Sequence, residues 1–256
     1  MRTSLKYLLS ALFLLIAIVG FAQSSKGNSF FTQKDAKNWV YILNDKSLNP
    51  ADVFKMKDGL LQISGASSGY LRTKKSYSNF ELNVEWRWTK VLGNSGVLVH
   101  IQAKDTIWPV CYQVQQRADA AGDIICMNGL WAKECTDSVK FTVKKLQTSN
   151  EKPLGEWNSM KVISKNKTLK VWINGVLQNS ITGLTASKGF IGFQNEGKPL
   201  EFRNLQITPS VIIKQSKPFY NRTVVKEVAI QINRLNETKS SDSYREDYII
   251  CANGIK

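Results

Sequence analysis

Between residues 39 and 208 the chain consists almost entirely of short strand-like apolar runs separated by turn residues. The clearest stretch runs from Phe80 to Trp88, where every second residue is apolar, as expected of a strand with one buried face. Asp58-Gly59 and Asn174-Gly175 each separate two short apolar runs, a pattern typical of tight β-hairpins. Further strand-like runs span residues 97–101, 112–115, 141–143, 160–163, 190–193 and 205–207. Short strands at this spacing, without long helical patterns, predict an all-β jelly-roll sandwich of antiparallel strands.

The start of the chain differs from this pattern. Residues 1–22 combine basic residues at positions 2 and 6, an apolar run over residues 7–19 and small residues near position 22, which predicts a signal peptide. The apolar run is shorter than the roughly 20 residues that cross a bilayer, so no stable membrane span is expected. No cysteine follows the run, so a lipoprotein anchor is not expected either. We therefore expect an exported protein, periplasmic or extracellular, whose mature chain begins near Gln23.

The segment after residue 209 also changes in character. Val225, Val228, Ile232 and Leu235 lie at helical spacing and predict a short amphipathic helix in a C-terminal tail. We therefore divide the chain into a signal peptide (1–22), one jelly-roll domain (23–209) and a C-terminal extension (210–256). The pattern leaves the role of the extension open.

The charge balance changes this picture little. The formal net charge is +15, and the lysines and arginines are spread along the chain. Such a charge favours anionic partners or simply keeps a protein in solution. No nucleic-acid-binding motif accompanies it, so nucleic acid is not an expected partner.

Four cysteines, at positions 111, 126, 135 and 251, allow three disulfide pairings in an exported chain. Cys126 and Cys135 are close enough in sequence to bridge a loop, and buried free thiols are the alternative. Their spacing matches no zinc pattern, and a single histidine makes a Cys/His metal site unexpected.

Glu81, Asn83 and Glu85 share one face of the predicted strand 80–88. Laminarinase-type glucanases carry a similar Glu-x-Asp-x-Glu strand, whose carboxyl groups act about 5 Å apart in retaining chemistry. Asn83 replaces the central acid here. We interpret Glu81 as a solvated residue and keep Glu85 as a catalytic candidate, with an ordinary endo-glucanase as an alternative function.

His100 is the only histidine and ends a strand-like run. Asn94 and Ser95 precede that run in a predicted turn, while Gln113 and Gln115 share one face of a following strand. A neutral imidazole can take or give a proton near neutral pH, so this group predicts a site with His100 as base or acid. A hydrogen-bonded structural histidine is the alternative.

The tryptophans allow two interpretations, as core residues or as platforms for sugar rings. Trp172 lies inside an apolar alternation and is interpreted as core. Trp108 precedes Pro109 in a predicted loop and is the preferred stacking candidate.

With these residues the chain resembles the 3-keto-disaccharide hydrolase domain family over roughly residues 38–208. The matching pieces form an ordered series at residues 57–61, 69–73, 80–87, 93–100, 107–109, 122–123, 155–158, 174–175, 192–197 and 202–204. The resemblance implies a concanavalin-like jelly roll and activity on glycosides already oxidised at C3 of a glucose ring. Such a ketone acidifies the hydrogen on C2, so that a base can remove it and the C1 substituent can leave. The resemblance also implies a divalent metal ion as a cofactor to consider.

The resemblance suggests roles for individual side chains. His100 is the predicted base or acid, and Asp123 and Glu85 are predicted to orient it or to bind metal. Asn94, Ser95, Trp108, Gln113, Gln115 and Arg203 are predicted to bind the sugar. Glu196 lies in a predicted turn, where it binds substrate or is merely solvated, and Arg203 has an alternative as an ion-pair partner.

One position departs from the family pattern, since the family often has glutamate where this chain has Gln113. An amide binds a hydroxyl but cannot act as a base near neutral pH. The leading hypothesis is therefore an exported hydrolase or lyase for 3-keto-glycosides. A non-catalytic, lectin-like carbohydrate-binding module is the alternative.

Overall fold

A computed structural model describes residues 30–210, which form fourteen strands and two short helices. The helices are a 3-10 helix, Gln33–Asn38, and one turn of α-helix, α1 (Pro50–Val53). The strands are β1 (Trp39–Leu43), β2 (Phe54–Lys57), β3 (Leu60–Ile63), β4 (Ser68–Thr73), β5 (Phe80–Trp88), β6 (Gly96–Ile101), β7 (Tyr112–Gln115), β8 (Ile124–Cys126), β9 (Thr142–Val143), β10 (Asn158–Lys165), β11 (Thr168–Ile173), β12 (Val176–Thr182), β13 (Phe190–Glu196) and β14 (Leu200–Pro209).

The strands form two seven-stranded sheets in which neighbouring strands are antiparallel. Sheet A has the order β1-β4-β13-β6-β7-β8-β9, and sheet B has the order β12-β11-β10-β5-β14-β3-β2. Sequence neighbours are often not spatial neighbours, because the chain crosses repeatedly between the sheets. This arrangement confirms the predicted all-β jelly-roll sandwich.

The core lies between the two sheets. On β5, Phe80, Leu82, Val84 and Trp86 are buried, whereas the intervening polar residues are only half-buried. The rings of Phe193 on sheet A and Phe202 on sheet B lie 4.8 Å apart, so aromatic packing joins the sheets directly. The alternation along 80–88 therefore indicated both the strand and its buried face correctly.

The two predicted hairpin turns are confirmed. Asp58 and Gly59 have φ values of 53° and 81°, and Asn174 and Gly175 have φ values of 47° and 80°. Positive φ at both central residues is the geometry of a type I′ turn, which Asn-Gly and Asp-Gly adopt with little strain. These turns join β2 to β3 and β11 to β12.

Strand β6 contains a β-bulge at Val99 and His100. Its register with β13 pairs Leu98 with Gly192 and Ile101 with Phe190, so two residues of β6 face one residue of β13. His100 has a φ of 53°, and both Val99 and His100 are fully buried. The bulge turns the His100 side chain into the space between the sheets.

The predicted signal peptide and most of the C-terminal extension, with its predicted helix, lie outside the described residues. Within residues 30–210, no helix is long and apolar enough to cross a membrane.

Candidate functional site

Three glutamine side chains form a continuous row on the outer face of sheet A, the face turned away from sheet B. Their strand neighbours Tyr112, Val114 and Phe193 belong to the core, so Gln113, Gln115 and Gln194 face outward. The Nε2 of Gln113 donates to Oε1 of Gln194 at 3.0 Å and to Oε1 of Gln115 at 3.3 Å. We call this set the amide row.

The amide row exists because the intervening strand has no side chain at one position. Gly96 of β6 lies between β13 and β7, opposite Gln115. A Cβ at Gly96 would lie 2.6 Å from Cγ of Gln113, inside normal contact distance. The glycine in the Gly93–His100 segment therefore lets Gln113 reach across β6 to Gln194.

The far end of the amide row is also fixed. Oε1 of Gln115 accepts hydrogen bonds from the backbone N–H groups of Gln116 and Arg117, at 2.9 and 3.0 Å. With the bond from Gln113, Oε1 of Gln115 accepts three hydrogen bonds. The Nε2 group of Gln115 is therefore the part of this amide that remains available to a ligand.

Two oxygen atoms beside the amide row are buried without a hydrogen-bond partner among the described residues, Oε2 of Glu196 and Oδ1 of Asn94. Phe193 of β13 pairs with Val97 of β6, and continuing this register brings Glu196 opposite Asn94. Burial raises the pKa of the Glu196 carboxyl above its usual value. Buried polar atoms are normally hydrogen-bonded, so two unpartnered acceptors on neighbouring segments mark this end of the face as a candidate site.

Ser95 supports this end of the face rather than forming its surface. It is fully buried, and its Oγ donates to the carbonyl oxygen of Gln194 at 2.8 Å. The side chain therefore holds the Asn94 turn against β13.

Asp123 lies next to the amide row, since its backbone carbonyl accepts from the N–H of Gln115 at 2.9 Å. Its buried carboxylate is already bound. Oδ2 accepts from Nζ of Lys144 at 2.9 Å, and Oδ1 accepts from the backbone N–H of Lys145 at 2.9 Å. Asp123 and Gln115 line a cavity of about 350 Å³ that also borders Arg117 and Lys140.

The loop between β6 and β7 covers the part of the outer face of sheet A that the amide row does not occupy. Asp105 of the loop binds the Arg72 guanidinium through two contacts of 2.7 Å and accepts from the Tyr70 hydroxyl at 3.2 Å. Trp108 lies on the same loop and is 45% exposed. The loop thus leaves the indole ring available, but no described contact joins it to the amide row.

His100, the predicted base or acid, lies in the core and is fully buried. Its Nε2 shares a hydrogen bond of 2.8 Å with Oγ of Ser164 on sheet B, and its ring packs against Phe80 and Tyr112. Burial lowers the pKa of the imidazole to about 4. This position favours the structural alternative for His100, because the ring has no surface on which a substrate could bind.

Glu85 and Arg203 lie on the outer face of sheet B, so both sheets separate them from the amide row. Nε of Arg203 contacts Oε2 of Glu85 at 2.5 Å, and the guanidinium stacks 4.0 Å from the centre of the Trp157 ring. The structure therefore favours the ion-pair interpretation of Arg203. It does not bring Glu85 to His100 or to Asp123.

The predicted site residues thus do not lie together: His100 lies in the core, Glu85 and Arg203 lie on the outer face of sheet B, and Trp108 lies on the loop between β6 and β7. Asn94, Gln113, Gln115, Asp123 and Glu196 share the outer face of sheet A, with Ser95 beneath it. Sequence reasoning missed Gln194, although Gln194 follows the apolar Phe193 and lies two residues before Glu196, the same spacing as that of Gln113 and Gln115.

Within residues 30–210, no group of three or more His, Cys, Asp or Glu side chains could hold a metal ion. Cys111, Cys126 and Cys135 are buried free thiols, and Cys251 lies outside the described residues. Burial, with the neighbouring Cys135, raises the pKa of Cys126 to about 12.

Comparison with known families identifies the domain. The model for the 3-keto-alpha-glucoside-1,2-lyase-like domain matches residues 27–208, which is most of the chain and confirms the predicted resemblance. No curated protein sequence matches the chain significantly.

Solved structures with the same fold include two from Parabacteroides distasonis ATCC 8503, each described as a glycosyl hydrolase. Both are 22% identical to this chain with TM-scores of 0.51, and the matches cover 68% of this chain and 89% and 94% of theirs. A carbohydrate-binding module from Bacillus subtilis is 11% identical, with a TM-score of 0.47, over 67% of this chain and 95% of its own. At these identities the likeness is one of fold.

Proposed function

Because the chain belongs to the 3-keto-alpha-glucoside-1,2-lyase-like domain family, we propose that it binds a saccharide on the outer face of sheet A and cleaves 3-keto-glycosides there. The observation that carries this proposal is the unpartnered, buried Oε2 of Glu196 beside the amide row. The descriptions of the Parabacteroides structures as glycosyl hydrolases support action on a carbohydrate.

The reaction is an elimination followed by hydration. A base removes the proton from C2, which the C3 ketone has made acidic. The electron pair of the broken C2–H bond forms a C1–C2 double bond, and the C1–O bond breaks as the aglycone leaves and takes up a proton. Water then adds to C1 of the enone. Such chemistry needs one well-placed proton-transfer group rather than the close carboxylate pair of ordinary glycosidases.

Glu196 is the proposed proton-transfer group. Its raised pKa makes its carboxylate a stronger base than an exposed glutamate, and burial holds it in place. Asp123 is less suited to this role because Lys144 and a backbone N–H already occupy its oxygens. Glu196 therefore takes the role first predicted for His100, whose ring lies between the sheets.

The amides supply binding and polarisation. The available Nε2 of Gln115 can donate to a sugar hydroxyl or to the ketone oxygen, while Oδ1 of Asn94 can accept from a hydroxyl. Since these groups carry no charge, they bind the sugar without competing for the proton that Glu196 moves.

The divalent metal considered for the family does not fit the donors at this face. Glu196 is a single carboxylate without a bonded partner among the described residues, and the neighbouring Asp123 carboxylate is already bound by Lys144 and by the backbone N–H of Lys145, whereas Ca²⁺ sites usually combine several carboxylate and carbonyl oxygens. Among the neighbouring amides, Oε1 of Gln194 already accepts from Gln113, and Oε1 of Gln115 already accepts from Gln113 and from two backbone N–H groups. We therefore derive no step through a metal.

The first prediction tests this assignment. A purified protein given a 3-keto-glucoside is expected to release the aglycone and to show transient enone absorbance. Glu196→Gln should lower kcat by about 100-fold or more, because general-base catalysis contributes factors of this order. In the unmodified protein kcat/KM should fall as pH decreases through the raised pKa of Glu196.

The matched control is Glu81→Gln, which removes a carboxylate from the outer face of sheet B, where Glu81 pairs with Lys161. This variant should keep its turnover. Equal losses in both variants, or an unchanged rate in Glu196→Gln, would contradict the role of Glu196.

A lectin-like module is the second candidate, and the composition of the amide row favours it. Gln113, Gln115 and Gln194 bind hydroxyls but transfer no protons near neutral pH. Saccharide binding without any turnover of a 3-keto-glucoside would select this candidate. Export to the periplasm or cell exterior remains part of either proposal and is tested by sequencing the N-terminus of the protein recovered from each cell fraction.

A further inference from the structure

The cavity of about 350 Å³ next to the amide row has a basic lining. Arg117, Lys140 and Lys144 border it together with Asp123, Thr142 and Gln115. Gln115 belongs to both the cavity and the amide row, so the two are parts of one continuous surface. A saccharide on the amide row that extends past Gln115 therefore enters this cavity.

Only one of the three cations is neutralised. Lys144 pairs with Asp123, the only acid among the cavity residues. Arg117 and Lys140 have no carboxylate oxygen within 4.0 Å among residues 30–210. The nearby Asp137 carboxylate accepts from the backbone N–H groups of Lys140 and Val139, and these bonds, with a smaller effect from the charge of Lys140, lower its pKa.

Arg117 differs in this respect from the other arginines of the described chain. Arg72, Arg87 and Arg203 each contact a carboxylate at 2.7, 2.7 and 2.5 Å. Arg117 instead has its backbone fixed by Gln115, while its side chain remains exposed at the cavity. The backbone of Lys140 is likewise held, by Asp137 and by the Thr142 hydroxyl. Two cations without an ion-pair partner in the described part of the chain, carried on backbone segments that are held in place, lie beside an amide donor and together suit an anion.

We propose that this cavity binds an anionic group of the saccharide, so that the substrate is an acidic glycoside that carries a carboxylate or a sulfate ester. The inference rests on the proposed function for the presence of a saccharide on the amide row. It adds the class of sugar that the site selects.

The test compares three unoxidised disaccharides of one linkage, in which the terminal C6 carries a hydroxyl, a carboxylate or a sulfate ester. Isothermal titration calorimetry at about 50 mM and 200 mM salt gives each Kd. At low salt at least one anionic disaccharide should bind about tenfold more tightly than the neutral one, and the advantage should shrink with salt because the cations are exposed. The tighter of the two acids identifies the anionic group.

The paired change Arg117→Gln with Lys140→Gln should abolish this preference while the Kd of the neutral disaccharide stays the same. The control variant carries Lys165→Gln and Lys170→Gln, which remove two exposed cations from sheet B. It should still bind the anionic disaccharide more tightly than the neutral one. Equal affinity for neutral and acidic sugars, no binding of any of them, or an equal loss in the control would overturn the inference.

The experiments distinguish a failure of the proposed lyase activity from a failure of the proposed anionic subsite. A preference that the Arg117 and Lys140 changes remove, in a protein that turns over no 3-keto-glycoside, would uphold the anionic subsite and reject the lyase. Turnover with equal affinity for all three disaccharides would uphold the lyase and reject the subsite.

Discussion

One imidazole connects the two sheets of the sandwich through a single hydrogen bond. His100 on β6 bonds to Oγ of Ser164 on β10, and that hydroxyl also donates to the carbonyl oxygen of Ser78 at 3.2 Å. Such a bond is costly to break, since removal of the Ser164 hydroxyl leaves Nε2 of the buried imidazole without its partner. The position of His100 therefore favours a role in the stability of the fold.

Its titration should make stability depend on pH. Folded His100 takes up a proton only near pH 4, while the unfolded chain takes it up near the ordinary value of 6.5. The unfolded state binds more protons between these values, so the contribution of His100 is full above pH 6.5 and is lost as pH falls towards 4, by about 3 kcal/mol at most.

Urea unfolding of the native protein, His100→Gln and Ser164→Ala, each at several pH values from 4 to 7.5, measures this contribution. The free energy of unfolding should change less with pH in His100→Gln. Ser164→Ala keeps the imidazole and should keep the pH dependence, although its stability falls by about 1 kcal/mol. The same pH dependence in all three proteins would show that His100 does not titrate as described.

The sequence could single out His100 but not orient it. Strict alternation from Val97 predicts that His100 shares the outward face of Leu98, beside the glutamines. The bulge reverses that orientation, and no residue in the segment signals it, since His100 itself adopts the left-handed conformation that glycine or asparagine would have announced.

At the scale of elements, three strands cooperate to build the amide row. β7 and β13 supply the glutamines, and β6 supplies the space above Gly96. Gly96→Ala should displace Gln113 and weaken saccharide binding by about tenfold, because a methyl group would overlap its side chain and the buried amide bonds would be lost.

A double-mutant cycle checks this prediction. Gly96→Ala should lower stability in the native background but have little effect beside Gln113→Ala, which removes the side chain that the methyl group meets. Additive losses in the free energy of unfolding would contradict the contact. Affinity for the same disaccharide, measured on all four proteins, reports the amide row itself.

The strand pairings also explain which of the predicted site residues lie on one face and which do not. Period-two spacing correctly indicated that Gln113 and Gln115 share a face and that Glu85 faces away from the core. It could not indicate which sheet each strand joins, because that depends on pairings such as β5 with β14, more than 110 residues apart in sequence. Spacing along the sequence therefore cannot separate Glu85 and Arg203, on sheet B, from the candidate residues on sheet A.

At the scale of the whole molecule, both sheets are formed by residues 30–210, and the main core lies between them. Its largest buried side chains, including Trp86, Phe193 and Phe202, all contact residues inside this range. A protein limited to residues 30–210 should therefore unfold in a single cooperative transition and keep the near-ultraviolet circular dichroism of the full chain. A non-cooperative thermal transition, or a loss of the aromatic signal, would show that the fold needs the remainder of the chain.

The bulge on β6 has a consequence for how the length of this strand can change. Because Val99 and His100 both face inward, the loss of either residue would restore regular alternation and leave Leu98 and Ile101 on their present face. A deletion at any other position of β6 would turn the residues beyond it to the opposite side. The bulge formed by Val99 and His100 is thus the one position in this strand where the deletion of a residue is compatible with the same sheet.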